Sequence, residues 1–181
     1  MTSDYKSPGN GETYSKEMIG GLYYKAGTIP VLIGGGHDNV YRNNIFVDVP
    51  FAFHIDNRME GWSRSMLDKG GIAEQRLNIV GYDRPPYATA YPLLPHYWEN
   101  NPRVPRNNII SGNLFYKVGS LLRGKLAWGE WSNNYITSLN PGFKDPEDLI
   151  QGFRPDAAVY ECINGFHPIP FAEIGCHLSL E

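Results

Sequence analysis

Three polar side chains at alternate positions, His54, Asp56 and Arg58 in "FAFHIDNR", form the first group in the chain whose types and spacing suit chemistry. A carboxylate flanked by an imidazole and a guanidinium is held ionised, which fits it for a nucleophile or a base and not for an acid. The acid would then come from a second, more desolvated carboxyl. Glu60 and Asp68 are the first candidates, with Glu74 and Asp38 behind them. Without any chemistry, the same residues would make an exposed Asp56–Arg58 ion pair contributing well under about 1 kcal/mol.

Two further motifs lie close by. "GGGHDN" at 34–39 has the glycines of a phosphate-cradling loop, but neither the Lys-Ser/Thr pair nor a helix follows it. A tight corner with close backbone approach is the simpler use of these glycines, and His37 and Asp38 could still face the same groove as the triplet. The histidines at 37, 54, 96, 167 and 177 show no ligand spacing, so neither metal nor cofactor is expected. Carboxylates alone can bind Ca²⁺ without leaving a motif. Cys162 and Cys176 are either two buried thiols or one disulfide closing a short loop.

The elements that must position these residues are short strands. Charged residues make up 19% of the 181, while 20 Gly and 14 Pro are present, which suits strands joined by many turns. A net charge of −3 with no basic block argues against a nucleic-acid partner. No run of 18 or more residues is apolar, so no membrane span is expected. Residues 1–20 read as a polar leader without the apolar core of a signal peptide, and 178–181 as a tail.

A repeat organises the strands. Gly21, Asn44, Asn113 and Asn134 each precede an apolar triplet, at steps of 23, 69 and 21 residues. The long step contains a segment of different character, 59–105, rich in Pro, Tyr and Trp; without its 47 residues the step becomes 22. A period in the low twenties fits either a leucine-rich repeat, whose Leu pattern is absent, or a right-handed parallel β-helix of stacked short strands. Asn at a recurring corner fits the second, because its amide can bond a neighbouring backbone and it tolerates left-handed conformations. The fold expected is therefore all-β, a right-handed parallel β-helix of about four turns over 21–177.

Alternation along "FAFHID" sends Phe53 and Ile55 inward and Ala52, His54 and Asp56 outward. Subtracting one period of 23 places Leu32 beneath Ile55, also inside. The insertion 59–105 should hold two helical pieces split by Gly70-Gly71, then an extended Pro-rich loop over 84–106, packed over the outward face of His54 and Asp56. Residues 140–177 lose the repeat and should cap the open end of the coil. The first strands, Leu22–Lys25 and Val31–Ile33, would leave an edge to be covered by 1–20 or by self-association with a second subunit.

At this point "YYKAGTIPVLIGGGHDNVYRNNIFVDVPFAFHIDNR", the following "GWSRSMLDK" and the closing "NPGFKDP…FRPDAAVY…GFHPIPFAEIG" resemble the C-terminal part of bacterial right-handed parallel β-helix proteins of the pectin-lyase-like superfamily. The resemblance implies a secreted or periplasmic parent protein acting on polysaccharide or oligosaccharide, glycoside hydrolase-like. Polysaccharide lyase or non-catalytic glycan binding are the alternatives. Glycosidases use two carboxyls about 5–5.5 Å or about 6.5–9.5 Å apart. On that reading Asp56, Asp68 and Glu60 are the catalytic candidates, and His54, Arg58, His37, Asp38, Trp62 and Arg64 the substrate contacts. A lyase would instead set a base beside a charge neutraliser, with Arg58, Arg64 or His54 in that role. Trp62 and the tyrosines of the insertion could stack on sugar rings or simply anchor the loop.

Overall fold

The structure is a computed structural model, and it describes residues 17–173. In chain order its strands are β1 (Glu17–Ile19), β2 (Leu22–Tyr24), β3 (Val31–Gly34), β4 (Val40–Arg42), β5 (Ile45–Val47) and β6 (Phe51–Asp56). After the insertion come β7 (Asn108–Ser111), β8 (Leu114–Tyr116), β9 (Ser120–Arg123), β10 (Gly129–Ser132) and β11 (Tyr135–Thr137). They sort into three sheets, β1-β4-β7-β10, β2-β5-β8-β11 and β3-β6-β9, and every strand pairing is parallel. The first two sheets take one strand from each of four successive coils, and the third takes one from each of the first three. This is a solenoid-like stack, mostly β and compatible with a β-helix. The stack begins at Glu17, because β1 pairs with β4; residues 17–20 therefore belong to the first coil and not to a leader.

The corner before each second strand explains the repeating Asn. Gly20, Asn43, Gly112 and Asn133 all have positive φ, from 51° to 71°, which only Gly and Asn adopt at little cost. The next residue in each coil then forms a ladder. The Gly21 N–H donates to Asn44 Oδ1 at 2.9 Å, the Asn44 N–H to Asn113 Oδ1 at 3.0 Å, and the Asn113 N–H to Asn134 Oδ1 at 2.9 Å. Asn44 and Asn113 are buried, so each amide satisfies backbone groups that water cannot reach.

Inside the coil, Tyr23, Phe46 and Phe115 stack, with ring centroids 4.7 and 5.1 Å apart. Phe53 meets Phe46, Tyr41 and Trp131 from the other walls. The two middle strands of the second sheet, β5 and β8, are buried on both faces. Their outer residues Ile45, Val47, Leu114 and Tyr116 lie in one cluster with Phe143, Phe153, Phe166, Ile169 and Phe171 of the C-terminal segment. Burial on both faces accounts for the unbroken apolar runs "IFV" and "LFY". The segment is tied down at two corners. Asn43 exchanges hydrogen bonds with the backbone of His167, and Asn133 with that of Asn164.

Several expectations need correction. The C-terminal segment, as far as the described residues go, lies along the outer side of the second sheet, and among them nothing covers Ile136, which is in register with the buried Phe115 and is 58% exposed. Leu32 is not interior. It pairs with His54 and is 53% exposed, while Ile33 pairs with Ile55 and is buried. Tyr24 aligns with Val47, a step of 23, but Val31 aligns with Phe53, a step of 22. The corner between second and third strands is one residue shorter in the second coil, and a slip of one reverses the faces. Ala52 is fully buried and does not join the wet face.

The insertion holds a 3₁₀ turn at Arg64–Leu67, α1 (Ile72–Val80), α2 (Tyr87–Ala90) and a second 3₁₀ turn at Leu94–His96. The split at Gly70-Gly71 is as expected, but 84–106 is not wholly extended. α1 packs on the Arg64–Leu67 turn and buries none of its own residues. Among the described residues no insertion helix makes an extended contact with β6; what stands beside Asp56 is the root of the insertion, with Arg58 on its carboxylate and Trp62 over the guanidinium. Cys162, on α3 (Ala158–Cys162), is exposed and not buried; Cys176 lies outside the described residues. No described helix is long and apolar enough to cross a membrane.

Candidate functional site

β6 carries the triplet out of the coil. Phe53 and Ile55 are fully buried, which fixes the strand's inner face and leaves His54 and Asp56 half-buried on the other. Beyond the strand the chain bends so that Arg58 folds back on Asp56. Its Nε donates to Asp56 Oδ1 at 2.8 Å and its Nη2 to Oδ2 at 2.7 Å, while the Arg58 backbone N–H donates to Oδ1 at 3.1 Å. This two-pronged contact is the strong form of a carboxylate–guanidinium pair. Hydrogen bonding from the Arg58 side chain holds the Asp56 carboxyl below its ordinary range, opposed by partial burial and assisted by the charges of Arg58 and His54. The same bond raises Arg58.

Arg58 lies where it does because residue 34 is glycine. A Cβ there would stand 2.4 Å from the Arg58 Cζ, so any larger residue expels the guanidinium. A Cβ on Gly35 would in turn crowd the Met59 side chain at 3.1 Å. The glycines of "GGGHDN" thus make room for the root of the insertion, on a backbone that turns at Gly35 with φ of 80°. Above Arg58 stands Trp62, its ring 5.5 Å from the guanidinium carbon and the residue 79% exposed. An indole supported by a cation on one side and open on the other is a stacking surface.

The other predicted residues fall into two groups. Glu60 and Arg64, both exposed, line an open cleft of about 300 Å³ together with Arg103. Arg103 staples this end of the insertion. It donates to the carbonyls of Met59, Arg64 and Leu67 and to Asp68 Oδ1 at 2.8 Å. Glu60 accepts from Asn57 at 2.9 Å, and Glu74 accepts from the Gly70 N–H beside the first turn of α1. His37 and Asp38 form a separate cluster at the corner before β4. His37 Nδ1 contacts Asp38 Oδ2, and Asn107 donates to Asp38 Oδ1 at 3.0 Å. Each carboxylate thus has partners of its own, and none of these partners is shared with Asp56. Among the described residues no three of His, Cys, Asp and Glu are grouped to hold a metal.

Two residues were missed. Arg103 gives no signal in sequence beyond its place in "NPRVPR". Arg123 does: it follows His54 by 69 residues, the step from Asn44 to Asn113, and the two pair across β6 and β9. Compared with protein-family models, curated proteins and solved structures, the chain finds no match in any of the three.

Proposed function

We propose that this chain is a right-handed parallel β-helix of the pectin-lyase-like kind, from a secreted or periplasmic protein, and that it binds and cleaves polysaccharide or oligosaccharide as a glycoside hydrolase. Right-handedness is favoured by the strong bias of parallel crossover connections. The carrying observation is the Asp56–Arg58–Trp62 arrangement. It combines a carboxylate held ionised with an exposed indole that lies over the carboxylate's guanidinium partner. The ionised carboxylate suits a nucleophile or a base, and the indole suits a sugar ring. Glu60 and Asp68, on the adjoining root of the insertion, are the carboxyls that could supply the acid.

A second reading, glycan binding without cleavage, is favoured by a specific observation. Asp68 and Glu60 are both exposed, and Asp68 is paired with Arg103, whereas a general acid needs desolvation. The deciding experiment offers a panel of plant and host polysaccharides to wild type, Asp56→Asn and Asp68→Asn. Hydrolysis requires that wild type release reducing ends and that Asp56→Asn lose about 10³-fold or more of that rate while keeping its fold. If wild type binds a glycan but releases nothing, the binding reading replaces hydrolysis. If Asp56→Asn cleaves as fast as wild type, Asp56 is only half of a surface ion pair.

A further inference from the structure

The stack ends on apolar side chains. β9, β10 and β11 are each the outermost strand of their sheet, and no described strand pairs with their far edges. The interior columns stop at the same place. Ile110 and Phe115 are fully buried, but the next residues in register, Trp131 and Ile136, are half-buried and 58% exposed. Leu126, between β9 and β10, and Leu139, after β11, are exposed as well. An open strand edge beside apolar side chains is a template for pairing with another chain.

The asparagine ladder limits how a second copy can pair there. Each corner N–H donates to an amide oxygen one coil further on. In a copy stacked head to tail, the residue after Asn134 in that column would be Gly21, which has no amide, and the ladder would break. Such a stack would also grow without closure, whereas a two-fold arrangement closes after two copies. Turning the second copy end over end reverses its strands, so all facing strands run antiparallel and pair through their backbone groups. β11, centred on Ile136, then lies on itself, and β9 faces β10 of the second copy; β9 and β10 have four residues each.

The inward residues fix the register. Leu122 is in line with the buried Phe53, and Trp131 with the buried Ile110, so the apolar match sets Leu122 opposite Trp131 of the second copy. Directly opposite residues share a face, and one step along, Arg123 meets Glu130 on the outside. Both are exposed, their charges are opposite, and neither is in an ion pair among the described residues. The two-fold axis makes this pair twice.

We infer that this end of the stack is a dimer interface. A second copy of the chain packs on it two-fold, β11 on β11 and β9 on β10, with Arg123 of each copy paired to Glu130 of the other. It is the opposite end from the Leu22–Lys25 edge for which the sequence suggests self-association.

The test is sedimentation equilibrium of the full chain, with circular dichroism to show that each variant is folded. Wild type should be monomeric when dilute and a dimer, no larger, at about 100 μM. Ile136→Glu sets two charges against each other on the axis and should leave only monomer; the side chain is already 58% exposed, so the fold should survive. Arg123→Glu and Glu130→Arg should each weaken the dimer by about ten-fold or more, since each sets two pairs of like charges opposite one another. Mixing the two variants should restore association as a heterodimer, because each supplies the charge that the other lacks. A wild type that stays monomeric at that concentration, that grows beyond two copies, or whose dimer survives Ile136→Glu would overturn the inference. So would a mixture that associates no better than either variant alone.

Discussion

Replacing Asn113 by alanine should cost about 2–4 kcal/mol, because one buried amide serves three coils at once. Its Oδ1 accepts from the backbone N–H and the Nδ2 of Asn44, both at 3.0 Å. Its Nδ2 donates to the Tyr41 carbonyl at 2.9 Å, the Ser111 carbonyl at 3.1 Å and Asn134 Oδ1 at 3.1 Å. In Asn113→Ala the Asn44 side chain keeps its bond to the Met18 carbonyl, but the Asn44 N–H loses its acceptor where water does not reach. That orphaned donor accounts for about 1–3 kcal/mol, and the remaining bonds add about 0.5–1.5 kcal/mol each, less whatever the chain recovers by relaxing. The assay is urea unfolding of wild type, Asn113→Ala and, as control, Asn78→Ala on the exposed face of α1. The slope m should not change, so that a shifted midpoint reports stability. The control should lie within about 0.5 kcal/mol of wild type. If Asn113→Ala falls in that range too, the ladder is a by-product of strand stacking and does not hold it.

Ile55→Ala should cost about 2–5 kcal/mol, and Leu32→Ala well under that range, since the first is fully buried and the second 53% exposed; equal midpoints would contradict the register. Because Asp56 is held below its ordinary range, its contribution to stability is present above the unfolded carboxyl value of about 4 and lost as pH falls through the lower folded value. Wild type should therefore lose its advantage over Asp56→Asn on acidification below about pH 4, and an advantage unchanged with pH would refute the clamp. Gly34→Val should expel Arg58, and the Asp56 carboxyl should then titrate closer to its ordinary value, as carboxyl-carbon NMR would show; an unmoved titration would mean that Arg58 does not depend on the space at Gly34.

The stacking was legible wherever a repeat left one residue type in one column. Gly21, Asn44, Asn113 and Asn134 stand in the ladder that their spacing implied, and within the long step the strands break off after Asp56 and resume at Asn108. The faces were less legible. A period taken from the second sheet was carried to the third, where the corner is one residue shorter, and Leu32 came out on the wrong side. The place of the C-terminal segment was written in two features that alternation alone overlooks: the unbroken apolar runs of β5 and β8, and the asparagines at positive φ that bind its backbone. At the candidate site, the nearness of Asp56 and Arg58 followed from alternate spacing. The Arg103 staple did not, because three of its four contacts go to backbone carbonyls 36–44 positions away, which carry no residue signature.

The most direct test of the account is to see where a sugar sits. A crystal structure of Asp56→Asn soaked with an oligosaccharide that wild type binds should show a ring stacked on the open face of Trp62, with the next sugars passing His54 along the third sheet. A glycan bound on another face of the coil, with Trp62 and His54 untouched, would contradict it.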